Sequence, residues 1–200
     1  VIERAQATGE SPAKVHFSFG KVAGKRSAAL PADFDNLLQF NYAKHSAADE
    51  ERLAEYIKAH GIDTIFALDM RVDAPCLKAA RRAGVRRVVS YWGASMSSIV
   101  PWKWPMKRLQ VALTRAKPDL FIFESEAMRQ RAVRGRGIAE ADTAIVRTGV
   151  DADRFRPVPS QVHERFGIPA HRRIIVFMGH LHERKGVAVL LRASAQLASR

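Results

Sequence analysis

From residue 15 to residue 147 the chain alternates short apolar runs with amphipathic stretches, and this rhythm limits the folds open to it. Strands are expected over 15–19, 64–68, 87–90, 120–123 and 143–147. Helices are expected over 1–8, 74–82 and 106–116. A further helix starts at Ser46, which can cap with Asp49 three residues on, carries Leu53, Tyr56 and Ile57 inward and stops at Gly61. Another follows Ser125, with Glu126 in its first turn. Strand–helix units of about thirty residues are the signature of parallel βαβ folding with right-handed crossovers.

Strands this apolar are expected to be buried on both faces, as in a parallel sheet covered by helices. The expected fold is α/β: a doubly wound, Rossmann-like domain over 1–156. Its ligands would bind beyond the carboxyl ends of the strands. The stretch Phe155-Arg156-Pro157-Val158-Pro159-Ser160 reads as a linker. A second domain begins over 157–200 with a strand at 174–178 and a helix at 187–197. A lone strand–helix unit cannot bury both strand faces, and the chain starts at Val1 rather than Met, so an internal fragment is expected.

Charge narrows the partners. The formal net charge is +13, but the basic residues are scattered: Arg81/Arg82, Arg86/Arg87, Arg129 to Arg136, Arg172/Arg173. A solvated basic surface fits this better than a nucleic-acid groove. Aromatics are only 8% of the chain and are mostly Phe inside apolar runs, so base-stacking platforms and nucleic-acid binding are not expected. Cys76 is the single cysteine, which excludes an internal disulfide and suits a reducing, cytoplasmic compartment. No signal peptide or bilayer-length apolar run is legible.

One loop carries chemistry. Gly179-His180-Leu181-His182-Glu183-Arg184-Lys185-Gly186 lies between the expected strand and the expected helix. A helix N-terminus carries partial positive charge, so Arg184 and Lys185 have the wrong sign for that place unless an anion is bound. Free N–H groups there form a phosphate site that Lys and Arg strengthen. The plainer alternative is a junction whose cations point into water.

Four segments, in order, carry a family resemblance: Asp119-Leu120-Phe121-Ile122-Phe123-Glu124-Ser125-Glu126; Thr148-Gly149-Val150-Asp151 with Phe155 and Pro157; Phe166-Gly167-Ile168; and Gly179 to Gly186. Together they resemble the retaining glycosyltransferases of family 4, whose GT-B fold is two facing Rossmann-like domains. Residues 80–200 carry the likeness well, and the earlier part carries it only in rhythm.

The resemblance implies sugar transfer, with retention, from a nucleotide-sugar donor to a hydroxyl of a glycan or lipid-linked acceptor, in cell-surface polysaccharide or glycolipid synthesis. Gly179 and Gly186 would shape the loop, and Lys185, His180 and Arg184 would hold the diphosphate. No cofactor or metal is implied. His180 stands where the family has arginine. Trp92, followed by Gly93, stands where many members have a histidine near the reacting sugar, and both are candidates for sugar or acceptor contact, with Ser95, Ser97 and Ser98 nearby. The family's Glu-x7-Glu motif has no counterpart, because no carboxylate follows Glu183. The catalytic carboxylates are therefore expected beyond Arg200, and no turnover is expected from these 200 residues alone.

Other constellations are thinner. His180 and His182 lack the further ligands a metal needs. No serine sits in a nucleophile elbow. Asp69 and Asp73 flank a strand end, where they are expected to cap the helix near Ala74. Pro101 to Arg108 interleaves tryptophan with Lys103, Lys107 and Arg108, a composition suited to the surface of an anionic membrane or to packing on the domain. Beside the transferase stand two alternatives: a GT-B relative such as a nucleotide-sugar epimerase, and a non-catalytic basic module for membrane or nucleic acid.

Overall fold

The computed structural model describes residues 15–21, 34–96 and 101–198, without the side chains of Pro101, Arg184 and Ala198. The helix expected at 1–8, together with Ser97 and Ser98, lies outside the described residues. The chain divides into two compact units, Val1–Gly149 and Val150–Arg200, whereas the sequence sets its boundary at 156/157.

The first unit runs β1 (Phe17–Phe19), β2 (Leu37–Gln39), α1 (Ala47–Ala59), β3 (Thr64–Leu68), α2 (Cys76–Arg82), β4 (Arg87–Trp92), a 3-10 turn (Pro101–Lys103), α3 (Trp104–Leu113), β5 (Leu120–Phe123), α4 (Glu126–Arg136) and β6 (Thr143–Ile145). Strands β3-β4-β5-β6 form one parallel sheet in that order, and β1-β2 form a separate parallel pair. A cavity of about 170 Å³ lies where β1 faces β3, lined by His16, Ser18, Tyr56 and Ile65. The short strand β2 has no clear signal in the sequence.

The caps act as expected. Ser46 Oγ accepts the Asp49 N–H while the Asp49 carboxylate accepts the Ser46 N–H, a reciprocal capping box. One turn apart on α1, Leu53 and Ile57 are buried, with Tyr56 packed beside them. Ser125 Oγ accepts the Met128 N–H and starts α4.

The register sets two sheet faces. Ala67, Ser90 and Phe121 pair across β3, β4 and β5, as do Trp92 and Phe123 across β4 and β5, and this face is covered. Phe121, Phe123, Val88 and Ser90 are almost inaccessible, each large apolar side chain contributing about 1.5–3 kcal/mol by burial. Ser90 Oγ satisfies itself by donating to the Met70 carbonyl.

The opposite face corrects the expectation of double burial, for Phe66 and Leu68 are each 62% exposed. Consecutive right-handed crossovers in one direction put α2, α3 and α4 on a single side. Among the described residues, nothing seals these two side chains on the other side.

In the second unit α5 (Val162–Arg165) and α6 (Val187–Ala198) form. The expected strand at 174–178 does not. A strand exists by pairing, and no described neighbour pairs with it; Val176 and Met178 stay 75% and 93% exposed. Among the described residues, no helix is long and apolar enough to cross a membrane.

Candidate functional site

In the second unit the glycine loop is a folded object. Gly179 (φ 150°) and Gly186 (φ 76°) take positive φ at its two ends. Between them His182 N–H donates to the His180 carbonyl, Lys185 N–H to His182 and Gly186 N–H to Glu183, each at 2.8–2.9 Å. The Gly186 carbonyl accepts the Leu190 N–H at 3.0 Å and opens α6. The N–H groups of residues 187–189 therefore have no acceptor within the helix. His180 and Lys185 are exposed, and the Arg184 side chain lies outside the described atoms. Among the described residues, no group of three His, Cys, Asp or Glu could hold a metal ion.

In the first unit the polar groups gather at the carboxyl ends of the strands. Asp69, just past β3, has φ 50°, and its Oδ1 is buried with no hydrogen-bond partner. Its N–H donates to the Tyr91 carbonyl at 2.7 Å. Trp92 ends β4, packs on the Phe121–Phe123 core and keeps a buried, unpartnered Nε1. Beside it is a cavity of about 20 Å³, which takes a water rather than a sugar ring. Gly93 is exposed, and a Cβ there would meet Glu124 Oε1 at 3.7 Å, an ordinary contact, so space does not demand glycine.

Asp73 corrects its expected role. Helix α2 begins after Pro75 without a side-chain cap, and Asp73 pairs with Arg71 through two bonds of 3.0 Å instead. Gln110 Nε2 donates to it at 3.0 Å, and Lys107 stands 4.0 Å away. Burial works to raise this carboxyl, but the Arg71 bonds and charge outweigh it and hold it below the ordinary range. Burial also lowers the Arg136 guanidinium beside the same cavity, helped by Arg71.

One constellation escaped the sequence. Tyr91 Oη and Thr148 Oγ1 both donate to Glu124 Oε1 at 2.7 Å, from β4 and from just beyond β6. The Tyr91 bond, then the Thr148 bond, hold the Glu124 carboxyl below its usual value, and the bond to Glu124 raises the Tyr91 phenol. Only the strand register, which sets Tyr91 beside Ile122, could have revealed it.

The exposed stripe of α3 bears on the membrane expectation. Trp102, Met106, Leu109 and Leu113 are 60–72% exposed, and Lys103 Nζ lies 4.8 Å from the Trp102 ring. The tryptophan-rich segment is a 3-10 turn that runs into helix α3, with Trp102 exposed and Trp104 half-buried.

Comparison with known proteins agrees with this architecture. A GDP-mannose-dependent alpha-(1-6)-phosphatidylinositol monomannoside mannosyltransferase of Mycolicibacterium smegmatis is 31% identical over 156 residues, 74% of this chain. A D-inositol 3-phosphate glycosyltransferase of Corynebacterium jeikeium is 36% identical over 86 residues, 41% of this chain. The matches span 39% and 20% of those two proteins. The crystal structure of a glycosyltransferase from Rickettsia africae superposes with a TM-score of 0.62 at 17% identity, covering 82% of this chain and 44% of that one. That likeness, with the parallel sheets, establishes a GT-B, Rossmann-like α/β fold. The profile of the family described as Glycosyltransferase Family 4 matches residues 15–154, and the chain belongs to that family.

Proposed function

We propose that this chain is the acceptor-side domain and the start of the donor-side domain of a retaining glycosyltransferase that uses a nucleotide-sugar. The domains run over 1–156 and 157–200. The observation that carries this reading is the Gly179–Gly186 loop, folded tightly with Lys185 exposed at the start of α6. Lys185 and the free N–H groups of the first helical turn meet the donor diphosphate. They stabilise the charge that grows on the leaving phosphate as the glycosidic bond breaks. His180 and Arg184 add donors to the same group.

The two curated relatives are named for acceptors that carry inositol and phosphate. The acceptor proposed here is a polyol or glycolipid headgroup at the carboxyl ends of β3 to β6, in cell-surface glycan or glycolipid synthesis. Exposed Trp102, Met106, Leu109 and Leu113, with Lys103 and Arg108 alongside, suit contact with the anionic inner face of the cell membrane.

The test is calorimetric titration of the chain with GDP and UDP. Lys185→Gln is expected to weaken binding about tenfold. Equal affinity in both proteins would contradict the assignment of Lys185.

A further inference from the structure

We infer that Glu124, fixed by Tyr91 and Thr148, is a specificity-determining carboxylate that binds vicinal hydroxyls of a ring polyol acceptor. The inference rests on the transferase reading above. Glu124 immediately follows β5, at the end of a parallel sheet where α/β domains take their ligands. Hydroxyls from two neighbouring strand ends converge on one of its oxygens, Oε1, at 2.7 Å each. Oε2 accepts no hydrogen bond from any described residue.

The direction of the protons selects the ligand. Tyr91 and Thr148 spend their only hydroxyl protons on Oε1, so each offers an incoming molecule only lone pairs. Oε2 likewise only accepts. The cluster thus asks for a donor with more than one proton close together: adjacent hydroxyls or an ammonium. An ammonium is disfavoured by the surrounding chain, whose net charge is +13. An anionic group is disfavoured at this point by the carboxylate itself, which does not bar one elsewhere on the same molecule. Gly93 is exposed next to the cluster, where even a Cβ would make only an ordinary 3.7 Å contact with Oε1.

A purely structural alternative is that Glu124 only pins the segment after β6 to the sheet. Glu124→Gln separates the two. Its carboxamide oxygen still accepts from both hydroxyls, but the charge and the second acceptor are gone.

The experiment is an amide-resolved NMR titration of the 200-residue chain with myo-inositol, with cyclohexanol as the control that lacks vicinal hydroxyls. Wild type is expected to show saturable shifts at Tyr91, Gly93 and Thr148 with inositol and none with cyclohexanol. Glu124→Gln should weaken the inositol response about tenfold with its melting temperature unchanged. No shifts in wild type, equal shifts in the two proteins, or an equal response to cyclohexanol would each overturn the inference. If Glu124→Gln melts lower, the wild-type shift map and its cyclohexanol control decide alone. Nucleoside diphosphates, read at Gly179 and Gly186, test the transferase reading separately, so failure of one is distinguishable from failure of the other.

Discussion

Arg81 and Asp119 close the β4–β5 junction: the guanidinium donates to Asp119 Oδ2 at 2.7 Å, and the same oxygen accepts the Val88 N–H at 2.6 Å. Arg81 also donates to the Arg86 and Lys117 carbonyls, so one side chain ties together α2, the entry to β4 and the entry to β5.

Removing that carboxylate is expected to cost stability. Asp119→Ala should lower it by about 1 kcal/mol, since the pair is partly exposed and solvent screens it. Burial works to raise the Asp119 carboxyl, but the Arg81 and Val88 bonds outweigh it and hold the folded pKa below the ordinary value. Its contribution is therefore complete above about pH 3.9, the unfolded value, and is lost as pH falls through the lower folded value. Urea melts of wild type and variant should differ at pH 7 and converge at the acid end of the range. A constant difference down to pH 2 would contradict this.

Gly137 ends α4 at φ 72°, and a Cβ there would stand 2.3 Å from Arg108 Cγ and 2.9 Å from its Cα. The second neighbour is backbone of α3 and cannot swing away. Gly137→Ala is expected to destabilise by about 2–4 kcal/mol, from the left-handed φ and the overpacking together. An unchanged thermal midpoint would refute the close approach of α3 and α4.

Cys76 is buried at the start of α2, and burial, aided by the Glu50 charge, pushes its thiol up to about 11. At pH 8 its thiolate fraction is about a hundredfold below that of a free cysteine. Iodoacetamide should label the native protein slowly and the urea-unfolded protein quickly. Labelling of the native protein at the free-cysteine rate would be the contrary result.

Vesicle co-sedimentation reads the α3 stripe. The chain should pellet with phosphatidylglycerol vesicles and not with phosphatidylcholine alone. Trp102→Ser combined with Leu109→Ser should return it to the supernatant, because it removes two of the four apolar side chains that would enter the lipid. Equal recovery in the supernatant with both lipids would end the membrane reading.

What was legible in the sequence followed local chemistry. The Ser46–Asp49 box and the Ser125 cap are encoded within four residues, and the strands at 64–68 and 120–123 fall where their apolar runs sit. What was not legible depends on neighbours. The run at 174–178 has the composition of a strand but no described strand beside it. Phe66 and Leu68 read as core, yet the crossovers leave their face open. Asp73 reads as a cap, but its carboxylate takes two bonds from Arg71 and α2 starts without a side-chain cap. Glu124 was visible only as part of a motif, because its partners lie 33 and 24 residues away.

The central claim is that the Gly179–Gly186 loop holds the diphosphate of a nucleotide sugar. Amide-resolved titration of the chain with GDP, UDP and guanosine tests it most directly. The account predicts saturable shifts at Gly179, Lys185, Gly186 and Val187 with either diphosphate and none with guanosine. Absence of shifts with both diphosphates, or an equal response to guanosine, would contradict it.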